Sequence, residues 1–194
     1  AELPDAQFTA VLDERPEGLD EGPEVVAAGA RDELAVGDGV TIAPCGVAYR
    51  AFGRLNEARD NTVLVTTWLL GRSEDWVGLL GPNGIVDTTR YYTVVVDALG
   101  DGHSQSPSNT PVTQRRGFDA LTIGDMVESQ YRLVTERLGL TRLHGVVGAS
   151  MGGMQALEWA VRYPHFLTHV VSIIGTPRLG AFDRVLWSTL RTEL

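Results

Sequence analysis

One cysteine stands among the 194 residues, Cys45, so no disulfide can close within these residues, and it reads as a small core side chain rather than a thiol nucleophile. No apolar run approaches the roughly 20 residues that a bilayer-spanning helix needs. Positive charge is scarce: 16 Lys and Arg face 25 Asp and Glu, for a net charge of −9. Such a field repels nucleic acid and anionic membrane surfaces, and neither is expected as a partner. No cluster of His, Cys and Asp has metal-ligand spacing, so no metal is expected. Gly100-Asp101-Gly102 lacks the rest of a dinucleotide fingerprint, which argues against a nicotinamide cofactor. Internal repeats and low-complexity tracts are missing as well. The lone cysteine leaves the compartment open, with the cytoplasm as the default expectation and export as the alternative.

What remains is a composition of 43% hydrophobic and 21% charged residues, that of one globular domain of ordinary size. Residues 1–32 are acidic, carry Pro4, Pro16 and Pro23, and read as a peripheral arm; residues 33–194 read as the domain. Val40 and Ile42, then Val47 and Tyr49, alternate on either side of Pro44-Cys45-Gly46 and predict a β-hairpin. Thr62–Thr66 and Tyr92–Asp97 are short runs rich in β-branched residues, as in strands covered on both faces of a parallel sheet, and Thr168–Ile174 reads as a further strand. Residues 100–117 form a long loop of Gly, Ser, Pro, Asn and Gln. A helix is predicted to follow, opened by a Thr122/Asp125 capping box, striped by Ile123, Met126, Val127, Val134 and Leu138, and stopped by Gly139. Strands alternating with helices make the class α/β.

The most informative stretch is Gly148-Ala149-Ser150-Met151-Gly152. It follows the strand candidate Leu143–Val147 and precedes the helical Gly153–Ala160. Between a strand and a helix, G-x-S-x-G is a nucleophile elbow: the turn is too tight for side chains beside the serine, whose hydroxyl is thrust out at the carboxyl end of the sheet. The helix N-terminus beneath it favours negative charge developing on a substrate oxygen. Ser150 is therefore the candidate catalytic nucleophile. Twenty-two glycines make a chance match to the bare pattern easy, so it is the flanking strand and helix that carry the reading.

The block Gly148–Ala160 closely resembles the elbow of the homoserine O-acetyltransferase family, and Leu121–Val127 resembles the segment upstream of it. Val47-Ala48-Tyr49, Gly53-Arg54-Leu55-Asn56 with Asp60-Asn61, and Gly81-Pro82 with Asp87-Thr88 and Arg90-Tyr91-Tyr92 match further landmarks, so that the similarity spans about residues 34–178. The resemblance implies an α/β-hydrolase fold, mostly parallel with an N-terminal antiparallel hairpin. It also implies acyl transfer through an acyl-serine, with acyl-CoA as co-substrate, small-molecule acyl donors and acceptors, and no tightly bound cofactor. Leu69 keeps the position whose backbone N–H serves the oxyanion hole together with that of Met151, although Thr67-Trp68 and Leu70 replace the family's usual neighbours. The loop from Asp97 to Pro107 also departs from the family pattern. The family's triad aspartate and histidine lie beyond the stretch matched here, after a helical lid. The fold is accordingly expected to be truncated before the lid and last strands, and the triad to be completed by residues absent from this chain.

Among the residues present, His103, in a loop at the carboxyl end of a strand, is the one local candidate for a base, and Asp183 the one for an acid. His144, His165 and His169 read as structural, and Asp97 as a ligand of loop amides. The apolar strand Thr168–Ile174 lacks the lysines and prolines that blunt an edge, which predicts either a missing C-terminal segment or a second copy beside it. The competing reading is a naturally short, non-catalytic relative that binds a ligand or a partner.

Overall fold

The computed structural model describes residues 24–27, 33–37 and 39–193. Six strands form one sheet: β1 (Glu24–Ala27), β4 (Gly46–Phe52), β5 (Thr62–Thr66), β6 (Tyr92–Val96), β7 (Leu143–Ala149) and β8 (Leu167–Ile173), in the order β1-β4-β6-β5-β7-β8. The pairs β6–β5, β5–β7 and β7–β8 are parallel, whereas β1–β4 and β4–β6 are antiparallel. Glu24–Ala27, within the acidic segment, forms one edge; the rest of that segment lies outside the described residues.

The antiparallel hairpin is made by a different pair of strands from the one predicted. Val40–Ile42 (β3) does not pair with the strand after Pro44 but folds back on Leu34–Val36 (β2) as a separate two-stranded sheet. The reversal uses Gly37 and Gly39, both at positive φ, and the Gly39 N–H reaches the Val36 carbonyl at 2.9 Å. A Gly-x-Gly turn between alternating apolar residues is the shorter-range signal and prevails, because it closes the smaller loop. Leu34, Val36 and Ile42 are all buried by it.

Both central strands, β5 and β6, are buried along their whole length. Alternate residues feed two cores. Leu64, Val94, Val96 and Val146 pack with Val127, Leu133, Val134 and Trp159 on one face; Val63, Val65, Val95 and Val147 pack with Trp76 and Val86 on the other. The first face is covered by α1 (Ile123–Arg132) and α2 (Met151–Arg162). Thr122 caps α1 as the sequence predicts: its hydroxyl accepts the Asp125 N–H at 3.2 Å, while the Asp125 carboxylate accepts the Thr122 N–H at 2.9 Å. The helix widens into a π turn at Leu133–Arg137 and stops at Gly139, whose φ is +60°. A last helix, α3, spans Ala181–Glu193. No helix among the described residues is long and apolar enough to cross a membrane.

Candidate active site

Strand β7 delivers Ser150 to the carboxyl edge of the sheet, and α2 begins at the next residue. Ser150 has φ 53° and ψ −119°, a backbone conformation that side chains resist. The surroundings impose it. The Ser150 N–H donates to the Ile173 carbonyl at 2.9 Å, and its own carbonyl accepts from the Met154 N–H at 3.0 Å. A Cβ on Gly148 would strike the Gly152 carbonyl and the Thr66 hydroxyl, and one on Gly152 would strike the Thr66 carbonyl. The flanking glycines are thus required by the close crossing of the end of β5 with the first turn of α2. Thr66, beside Gly148 in the register, fastens that crossing by donating its hydroxyl to the Gly152 carbonyl at 2.8 Å.

No side chain caps the N-terminus of α2. Helix geometry leaves the N–H groups of Met151, Gly152 and Gly153 without intrahelical carbonyls, so the turn under Ser150 presents donors to an anion. Leu69 follows Thr66 and Thr67 out of the sheet beside the elbow and is 46% exposed. Its turn is held by the Gly71 N–H donating to the Trp68 carbonyl at 2.9 Å and by the Trp68 ring against the buried Trp76. Leu70 has a positive φ of 63° and is almost fully exposed.

The Nδ1 of His103 stands 3.8 Å from an Asp97 oxygen and 3.8 Å from a Glu74 oxygen, in the loop after β6. Asp183 accepts the Gly180 N–H at 2.9 Å in the first turn of α3. Neither is hydrogen-bonded to Ser150, and among the described residues no side chain bonds the Ser150 hydroxyl. His144 and His169 stack on each other near the amino ends of β7 and β8, away from the elbow, with Tyr91 against His144. No group of three or more His, Cys, Asp or Glu among the described residues has the geometry to hold a metal.

Asp97 is buried and accepts both the N–H and the hydroxyl of Ser73, at 2.6 and 2.8 Å; burial raises its pKa. It holds the Ser73–Leu79 segment, and with it Trp76, against the sheet. Asp101 beside it accepts the N–H groups of His103 and Ser104 through Oδ1, while Oδ2 is buried without a partner. Burial first and the Asp97 charge second push its carboxyl up to about 7. An unfolded aspartate titrates near 3.8, so the folded chain retains a proton that the unfolded chain releases. The stabilisation is therefore full below pH ~4 and is lost as pH rises through about 7. Asp101→Asn keeps the Oδ1 acceptor and removes the charge. It is expected to melt about 2–4 °C higher than the parent at pH 8, with the gap closing on acidification, as thermal unfolding across pH will show.

Sequence reasoning missed Thr66, Gln130 and Gln155. The signal was present: each is a polar residue in an otherwise apolar setting, Gln130 on the Met126/Val134 face of its helix and Gln155 on the Gly152/Trp159 face.

A family model described as alpha/beta hydrolase fold matches residues 63–186. Homoserine O-acetyltransferase of Carboxydothermus hydrogenoformans is 41% identical over 168 residues, and the match covers 77% of this chain and 44% of that enzyme. Ethyl acetate hydrolase of Pseudomonas veronii is 38% identical over 152 residues, covering 77% of this chain and 44% of its own length. The crystal structure of the acetyl esterase MekB superposes with a TM-score of 0.82 at 35% identity, covering 88% of this chain and 49% of that one. The chain thus spans about half the length of the proteins it matches.

Proposed function

The chain belongs to the α/β-hydrolase fold family, and from that premise we propose that it carries the nucleophile and oxyanion half of a serine acyltransferase or esterase acting on small acyl esters or thioesters. The observation that carries the reading is Ser150, held in an unfavourable backbone conformation directly over an uncapped helix N-terminus. Ser150 Oγ attacks the acyl carbonyl. The tetrahedral oxyanion accepts hydrogen bonds from the Met151 and Leu69 N–H groups, and the alcohol or thiol leaves with a proton, giving an acyl-serine. Water or an acceptor hydroxyl then takes the acyl group and regenerates the serine.

A serine hydroxyl needs a base within hydrogen-bond reach, and no described side chain occupies that place. The reading therefore assigns base and acid to chain beyond these 194 residues, with His103 and Asp183 as the local fallbacks. The relatives include homoserine O-acetyltransferases, homoserine O-succinyltransferases and acetyl esterases, which supports a short acyl group with an acyl-CoA or a simple ester as its donor. They match at similar identity, so they do not separate transferase from hydrolase. No tight cofactor is assigned.

The test is to react the full-length protein with an activated acetyl ester, quench, and map the adduct. Acetyl on Ser150 is the expected result; modification elsewhere, with Ser150 free, overturns the reading. Repeating the reaction with amino-acid hydroxyls present, and following whether they or water take the acetyl group, separates transferase from hydrolase.

A further inference from the structure

We infer that Gln155 is a positioning residue for the oxyanion hole: from α2 it ties down the turn that carries Leu69 and so sets the separation of the Leu69 and Met151 N–H donors. The inference rests on the serine chemistry proposed above.

Gln155 is fully buried, and every polar atom of its amide is engaged. Its Nε2 donates to the Thr67 carbonyl at 3.1 Å and, more weakly, to the Met151 carbonyl at 3.4 Å. Its Oε1 accepts from Gln130 Nε2. Gln130 in turn accepts the Trp159 indole N–H at 2.8 Å. Trp159, Gln130 and Gln155 thus form a chain of donors running from the core toward the site and ending on Thr67. The Thr67 hydroxyl is held from the other side, accepting the Ala98 N–H at 3.0 Å at the end of β6.

Thr67 is the hinge of the Leu69 turn. It is itself fully buried, and only Trp68 separates it from Leu69. One side-chain amide therefore touches both segments that supply an oxyanion donor: Thr67, which leads to Leu69, and Met151 itself. A core that needed only to fill space at position 155 would take Leu or Met there without burying an amide, which costs about 1–3 kcal/mol whenever a partner is missing. The arrangement instead sets a distance. An oxyanion requires both donors near 3 Å, and a misplacement of about 1 Å is enough to forfeit about 100-fold in rate.

The test uses the full-length enzyme with an acetyl ester, and rates are expressed per reactive serine. In Gln155→Leu the Thr67 carbonyl loses its donor. The expected result is a fall in kcat of about 10–100-fold with KM within about 3-fold, and an equal loss of affinity for a boronic acid that forms a tetrahedral adduct on Ser150. Gln155→Glu supplies an independent reading if the leucine variant does not fold. Its carboxyl restores the donor to Thr67 only when protonated, so its kcat relative to the parent should rise as pH falls. Loss of thermal stability with kcat and boronate affinity intact would show packing alone and overturn the inference, as would a Glu-to-parent ratio that is flat with pH. Ser150→Ala separates the two levels. If it retains turnover, the serine reading fails and takes this inference with it; if it is dead while Gln155→Leu is fully active, only the inference fails.

Discussion

Ser150→Ala in the full-length enzyme is expected to lower kcat for acetyl-ester turnover at least about 10⁴-fold, equivalent to about 5 kcal/mol of transition-state stabilisation. The residual rate would come from the Met151 and Leu69 donors acting on bound substrate without a nucleophile. KM should change little, because the hydroxyl contributes to the reaction rather than to ground-state binding. The backbone supplies a second, opposite effect at the same residue. With φ 53° and ψ −119°, Ser150 occupies a region that costs a residue with a Cβ about 1–3 kcal/mol. Ser150→Gly should therefore be as inactive as the alanine variant yet more stable than the parent by about 1 kcal/mol, after the greater freedom of glycine in the unfolded chain is discounted. Denaturant unfolding and steady-state kinetics on the three proteins check both effects. An alanine variant with most of its activity intact would remove Ser150 from the mechanism. A glycine variant less stable than alanine would show that the elbow is not strained. A protein consisting of these 194 residues alone is expected to be almost inactive toward the same esters, since no described base reaches Ser150; efficient turnover by it would point to His103, with His103→Ala as the next variant.

The second large effect is on folding. Gly148→Ala places a methyl group into the Gly152 carbonyl and the Thr66 hydroxyl, both at fixed positions in the packed crossing of β5, β7 and α2. A backbone carbonyl cannot turn aside as the end of a long side chain can. Relief requires α2 to lift from the sheet, which breaks the Thr66–Gly152 hydrogen bond and loosens Trp159 from the core. The expected loss is about 3–5 kcal/mol, at the upper end for single substitutions and a large part of a domain's total stability. Poor soluble yield or a thermal midpoint lower by about 10 °C will show it. Gly78→Ala is the control, because a Cβ there meets nothing within 4 Å and should leave the midpoint nearly unchanged.

Local chemistry was enough to read much of this chain. The runs of Val and Thr at 62–66 and 92–96 are buried on both sides, as a parallel sheet requires, because no charged residue in them marks a solvated face. The Thr122/Asp125 box and Gly139 mark where the helical segment after the long loop begins and ends, since capping depends on residues within one turn of each other. Gly148-Ala149-Ser150-Met151-Gly152 announced a strand-to-helix turn for the same reason: the steric demand lies inside the motif. Strand pairing is less local: the alternation pairs Val40–Ile42 with the strand after Pro44, whereas the nearer Gly37–Gly39 turn returns it to Leu34–Val36.

Only the tertiary structure decided which residues meet across the sheet. Thr66 and Gly152 are far apart in the chain, and nothing local to either shows that a threonine hydroxyl will close the elbow. Gln130, Gln155 and Trp159 belong to two helices, and their amides are satisfied only once those helices pack. The Asp101 carboxyl titrates near 7 because the fold buries it beside Asp97, a neighbour that becomes a low-dielectric contact only when water is excluded. Sequence determined the central strands, the capped helix and the strand-to-helix turn at Ser150, because turns, caps and periodicity act over a few bonds. The contacts that hold Ser150 and Leu69 in place required the fold, because hydrogen bonds and burial depend on distance in space.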